Sequence, residues 1–171
     1  MKKDECLEQL LSAITYRAEL FFNDEMKIKT MCEGQFHSVN KIELKKYTTV
    51  IGIGGTLNCL FYTTYDQFLL DKLMQKFIFG EIDTEEFLAL RESAAGEIAN
   101  TIIGHSITDF PNRGYGVTLT PPSTIEDAKS ILNTEGTGMI TTSLFTPYGN
   151  IEFTIIGPFK GENCAQSISS R

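Results

Sequence analysis

Between Glu92 and His105 the chain reads ESAAGEIANTIIGH, and the polar residues in it are spaced for one helix face. At about 100° per residue, Ser93, Glu97, Asn100 and Gly104 fall in one narrow stripe, because they are separated by four, three and four positions. Ala95, Ala99, Ile102 and Ser106 fall on the opposite side, with Ile98 and Ile103 flanking them, which predicts that the aliphatic side is buried and the stripe faces outward. A carboxylate and a carboxamide one turn apart have complementary chemistry. Glu97 can accept charge-assisted hydrogen bonds from a lysine or arginine, whereas Asn100 both donates and accepts and can therefore hold and orient a water molecule. Neither is a strong nucleophile, so the pair suits positioning catalysis rather than covalent catalysis. Small neighbours such as Ser93, Ala94 and Gly104 would let another macromolecule approach closely. His105 lies around the helix from Gly104 and is expected to be a flanking or packing residue rather than a catalytic one.

The elements that must carry this helix are legible around it. Leu7, Leu10, Leu11, Ile14, Ala18, Phe21 and Phe22 recur at helical spacing and predict an amphipathic first helix ending near Asn23. Weak alternation from Met26 to Phe36 indicates an irregular edge strand. Tyr47–Thr64 is rich in β-branched and aromatic residues and reads as a hairpin turned by Gly52, Gly54 and Gly55. A second helix is expected from Asp66 to Phe79, closed by Gly80. Asp83-Thr-Glu-Glu86 has the form of a capping box and opens a long third helix reaching Asp109, before Pro111 stops it. A short strand, 116–120, and a polar connection through Thr137 lead to a last hairpin, 139–145 and 150–156, turned on Pro147-Tyr-Gly149. The fold class is therefore α+β: an amphipathic N-terminal helix and two further helices on a mainly antiparallel sheet built from hairpins. Residues 1–160 are expected to form a single domain and 161–171 a polar, frayed tail.

Composition narrows the function. With 22 acidic against 15 basic residues, the formal charge of −7 opposes the phosphate neutralisation on which nucleic-acid binding depends. Cys6, Cys32, Cys59 and Cys164 form no Cys-x-x-Cys pair, and His37 and His105 are the only histidines, so no metal site is expected. The glycines 52, 54 and 55 are followed by another strand rather than a helix with a lysine, which disfavours a phosphate loop. No run approaches the roughly 20 apolar residues of a membrane helix. Scattered cysteines and an amphipathic rather than uniformly apolar start point to the cytoplasm, with no membrane partner.

These residues resemble the CheX-type members of the CheC/CheX/FliY family of chemotaxis phosphatases. The family pattern is Ser or Asp, three residues, Glu, two residues, Asn, and a proline beyond the helix; Ser93, Glu97 and Asn100 match the spacing, while Pro121 and Pro122 come a residue or two early. The resemblance runs from Val50–Thr56 through Ala94–Asn100 to Val117–Pro122. CheC-like relatives carry two such motifs. The first helix here offers Glu19-Leu-Phe-Phe-Asn23, one residue too long, so a single site is expected, as in CheX, whose members act as homodimers. Glycine-rich strand edges would suit pairing through the sheet. The resemblance implies hydrolysis of the aspartyl phosphate of a CheY-like response regulator. The partner would bring the acyl phosphate, Mg²⁺ and a lysine, so the chain would need no cofactor of its own. Asn100 would orient the attacking water, Glu97 would pair with the lysine, and Ser93 and Gly104 would be close contacts to the partner. Two other readings start from the same helix: a non-catalytic response-regulator binding module or flagellar-switch component, and a self-contained hydrolase with Glu97 as general base.

Overall fold

The computed structural model describes residues 3–78 and 80–159. Among them, helix α1 spans Lys3–Leu20, α2 Gln67–Phe77, α3 Thr84–Ala89 and α4 Arg91–Ser106. The strands are β1 Met31–Cys32, β2 His37–Ser38, β3 Lys41–Glu43, β4 Tyr47–Gly55, β5 Cys59–Tyr65, β6 Val117–Leu119, β7 Ser123–Glu126, β8 Ser130–Leu132, β9 Gly138–Thr146 and β10 Gly149–Gly157. The main sheet is antiparallel, in the order β1-β9-β10-β5-β4-β6, with β2 also beside β9 and β7 beside β4; β3 and β8 form a separate ribbon. This is the α+β architecture expected from the hairpins, and the two long hairpins, β4–β5 and β9–β10, supply its centre.

The alternation of each central strand decides which face is covered. Ile51, Ile53, Phe61, Tyr65, Ile140, Leu144, Ile151, Phe153 and Ile155 point one way and are buried with Leu7, Leu10, Leu11 and Ile14 of α1, Leu69, Leu70 and Leu73 of α2, and Ile98, Ala99 and Ile102 of α4. On the opposite face a small second cluster of Ile42, Met139 and Ile156 sits under the β3–β8 ribbon. Cys6 and Cys59 are buried and Cys32 half-buried, in keeping with cysteines that serve as small apolar groups. The polar stretch 161–171 and Cys164 lie outside the described residues.

Several elements differ from their sequence expectation. The weak strand 26–36 is reduced to β1, followed by the short β2. The polar connection 121–137 carries β7 and β8, because β4 and β3 offer them backbone partners. α2 ends at Phe77 with Ile78 already extended, so Gly80, at φ +99°, belongs to the loop rather than to the helix cap. The third helix is not continuous. It breaks at Leu90, whose ψ of −10° and shared N–H contacts to the carbonyls of Glu86 and Phe87 end α3 one residue before Arg91 reaches across to α2. Asp83 does cap α3, its side chain accepting from the Glu86 N–H at 2.8 Å.

The glycines also act differently from a simple turn. β4 runs straight through Gly52 and Gly54, where a β-carbon would come within 2.9 Å of the Thr120 side chain and 2.8 Å of the Thr118 side chain. The turn lies beyond, and Gly55, at φ +76°, has no room for a side chain because its β-carbon would stand 1.9 Å from the Gly116 carbonyl oxygen. This glycine-rich strand is internal, bonded to β5 on one side and to β6 and β7 on the other, so its glycines offer no free sheet edge for a second subunit. Gly55→Ala is expected to destabilise the protein by roughly 2–4 kcal/mol, since it adds a clash to an unfavourable backbone conformation. Urea unfolding checks this, and an unchanged midpoint would contradict the close approach of β4 to Gly116.

Candidate functional site

Ser93, Glu97, Asn100 and Gly104 are all exposed on α4, while Ala95, Ile98, Ala99, Ile102, Ile103 and Ser106 are buried beneath them. The stripe exists because the helix has a clear apolar side and the sheet takes that side. Glu97 and Asn100, one turn apart, have β-carbons about 5–6 Å from one another, close enough to act on one group. Neither forms a hydrogen bond or ion pair with any described residue, so both are free to meet a partner. His105 is exposed on the flank and is likewise without a partner among the described residues.

The helix is held rigidly from below and at its start. The fully buried Tyr65 of β5 donates its hydroxyl to the Ala95 carbonyl at 3.0 Å. Burial pushes the Tyr65 phenol pKa well up, so it remains a donor. Arg91 forks onto Asp71 of α2 with two bonds of 2.7 Å, an arrangement that fixes both distance and orientation. The Asp71 hydrogen bonds raise the Arg91 pKa, and partial burial opposes them. Thr124 on β7 donates to the Glu92 carbonyl at 3.1 Å and sits 3.2 Å from the Thr49 hydroxyl on β4. A β-carbon at Gly96 would meet Pro122 and Thr124 at 3.6 and 3.5 Å, ordinary contact distances, so these two residues pack against α4 beside the stripe. Tyr65→Phe is expected to cost about 1 kcal/mol, the net worth of one buried hydrogen bond whose acceptor keeps its helical partner. Thermal and urea unfolding measure it; a loss above about 3 kcal/mol would mean that the hydroxyl does more than pin α4.

A groove of about 380 Å³ opens between α2 and α4 on the other flank, lined by Met74, Phe77, Ile78, Leu90, Ala94 and Thr101 together with Ser93 and Glu97. The first helix is different in kind. It ends in a wide π-type turn, Phe21–Glu25, in which Phe21 and Phe22 are buried. Asn23 is consumed there: its amide donates to the Glu19 carbonyl at 2.8 Å and to the Thr30 hydroxyl at 2.7 Å, and it accepts from the Thr30 N–H. The Glu19–Asn23 pair is thus structural, as its extra residue indicates.

Residues 47–143, more than half of the chain, match the model of the family described as chemotaxis phosphatase CheX. The chain belongs to this family. The matched span contains α4 with Glu97 and Asn100 and leaves out Glu19 of α1 and Asn23 of the π-type turn after it. A chemotaxis protein CheX from Desulfovibrio desulfuricans has a similar structure, with a TM-score of 0.67 at 18% identity over 85% of this chain and 97% of that one. CheX from Vibrio vulnificus is similar at a TM-score of 0.68 and 15% identity, over 85% of this chain and 97% of that one. A third similar structure comes from a CheX–CheY–BeF₃–Mg²⁺ complex of Borrelia burgdorferi, with a TM-score of 0.64 and 20% identity over 89% of this chain and 96% of that one. No curated protein sequence matches this chain. These likenesses establish the CheX fold. Among the described residues no helix is long and apolar enough to cross a membrane.

Within that fold the four stripe residues expected from spacing come together on one face. Sequence reading missed what holds and borders them: Tyr65 and Thr124 against the helix, the Arg91–Asp71 pair at its start, and Phe77 and Leu90 at the groove. Leu90, Ala94 and Thr101 do share helical spacing beside the stripe, a signal present in the sequence. The Arg91–Asp71 pair, 20 residues apart, has none.

Proposed function

We propose that this protein accelerates hydrolysis of the aspartyl phosphate of a CheY-like response regulator, with Glu97 and Asn100 of α4 as its working groups. The observation that carries the reading is that these two side chains stand exposed and without a partner among the described residues, one turn apart, on a braced helix of a CheX-family chain. In phosphoryl transfer the protein has little covalent work to do, and catalysis rests on placement and electrostatics. The Asn100 amide accepts from and donates to a water, aligning its oxygen with phosphorus opposite the aspartyl oxygen. The P–O bond to the aspartate breaks as the water oxygen bonds to phosphorus; inorganic phosphate leaves and the carboxylate is regenerated. Glu97 accepts hydrogen bonds from a lysine beside the phosphoryl group, which sets the register of α4 over the partner. Ser93 and Gly104, small and exposed, allow that approach.

The reading assigns Mg²⁺ to the response regulator and no cofactor to this chain. It treats residues 1–160 as one domain, working in the cytoplasm as a homodimer with one α4 site per subunit. The Borrelia relative, solved with CheY, BeF₃ and Mg²⁺, supports a response regulator as the partner class. The test is timed loss of phosphate from each phosphorylated response regulator of the same cell, with and without the protein. At saturating protein at least one should lose phosphate at least about 100-fold faster. Tight capture of a phosphorylated response regulator without any faster release would favour a binding module instead. Activity on a small acyl phosphate alone would favour a self-contained hydrolase.

A further inference from the structure

Apart from Ser93 and Glu97, the residues lining the groove between α2 and α4 have no role in the chemistry just described, and most of them are apolar. Phe77 is 47% and Leu90 40% exposed, so two large apolar side chains border water there, above Met74, Ile78 and Ala94. Glu97 is the one titratable group in the lining. Ser93 and Glu97 belong both to the groove and to the outward stripe, so a surface that reaches Glu97 and Asn100 also lies over the groove. On the opposite flank Pro122 and Thr124 stand against Gly96, which leaves the open apolar space on the α2 side.

A partner with only hydrated groups at this place would strand Phe77 and Leu90 and find one charged contact, Glu97, with the hydroxyls of Ser93 and Thr101. A partner that presents a cation to Glu97 and an apolar group beside it satisfies both parts of the surface. The stretch from Gly161 offers a single large aliphatic residue, Ile168, and a single cation, Arg171, among small and polar residues. We infer that the groove seats an aliphatic or aromatic side chain of the response regulator, next to the lysine that pairs with Glu97. The inference rests on the phosphatase reading of Glu97 and Asn100 and adds what the protein selects in its partner. The groove sets affinity and the choice among response regulators, while Asn100 sets the rate within the bound complex.

Two full-length variants of opposite design test it. Leu90→Ser strips one wall, and Thr101→Tyr fills the space from a half-exposed position. Each is assayed against the response regulator that the wild type dephosphorylates fastest, and for capture of that regulator loaded with beryllofluoride. Circular dichroism confirms the helices, and Asn100→Ala is run in parallel. Both groove variants should raise KM and weaken capture by about tenfold, with kcat within about twofold of wild type. Unchanged KM and capture in both variants overturn the groove inference, and if Asn100→Ala is then inactive the phosphatase reading survives it. Full activity of Asn100→Ala overturns the phosphatase reading instead. If wild-type dimers dissociate in Leu90→Ser by sedimentation, a second copy of this chain occupies the groove and the inference fails.

Discussion

Asn100→Ala is expected to lower kcat for response-regulator dephosphorylation by at least about 100-fold while leaving affinity within about threefold, the signature of a group used in the transition state rather than in binding. The size follows from what is removed. Loss of one well-placed polar group from a hydrolytic transition state costs about 10²–10³ in rate. Folding should be untouched, because Asn100 is exposed, has no hydrogen-bond partner among the described residues, and sits in a helix, where alanine is the more favourable residue. Steady-state kinetics and capture of a beryllofluoride-loaded response regulator, run on the same preparation, separate the two effects. Weakened capture with an unchanged kcat would reverse the assignment and make Asn100 a docking residue.

Glu97→Ala is expected to weaken both steps. An exposed ion pair contributes about 0.2–1 kcal/mol, whereas a charge-assisted bond closed off from water at an interface contributes about 1.5–3 kcal/mol. Capping the Glu97 carboxylate with a protein partner moves it from the first class toward the second, so Kd should rise roughly tenfold. The rate in the bound complex should also fall, because the register of α4 over the phosphoryl group is then held less firmly. Glu97→Lys, which sets two cations against each other, should be worse than the alanine. Salt distinguishes this from lost packing: wild-type affinity should fall as ionic strength rises, and the alanine variant should respond less. Equal salt dependence in the two proteins would remove the lysine pairing from the mechanism.

Much of this site is legible in the sequence. The stripe and its buried counterface follow from helical geometry, and Ile98, Ala99 and Ile102 had to find the core wherever the helix lay. The two long hairpins were equally visible, since alternating β-branched residues with turn signals between them are local information. What escaped were features made by residues distant in sequence. The break at Leu90 accompanies the reach of Arg91 to Asp71, β7 and β8 are strands only because β4 and β3 lie alongside, and Gly52 and Gly54 are needed because Thr120 and Thr118 come close. A glycine-rich strand that looked fit for a sheet edge is instead paired on both sides, which redirects any search for a subunit interface away from it. The groove was out of reach for the same reason, because α2 and α4 form it jointly.

The central claim is that the Asn100 amide, standing on a braced and exposed helix face, aligns the water that cleaves the acyl phosphate. Single-turnover phosphate release tests it most directly, with a phosphorylated response regulator saturated either by wild type or by Asn100→Asp. The aspartate keeps the size and position of the side chain but cannot donate when ionised, and it adds negative charge beside the phosphoryl group. Wild type should release phosphate well above the spontaneous rate, and Asn100→Asp should return it to that rate. Release as fast with Asn100→Asp as with wild type would contradict the role given to the amide.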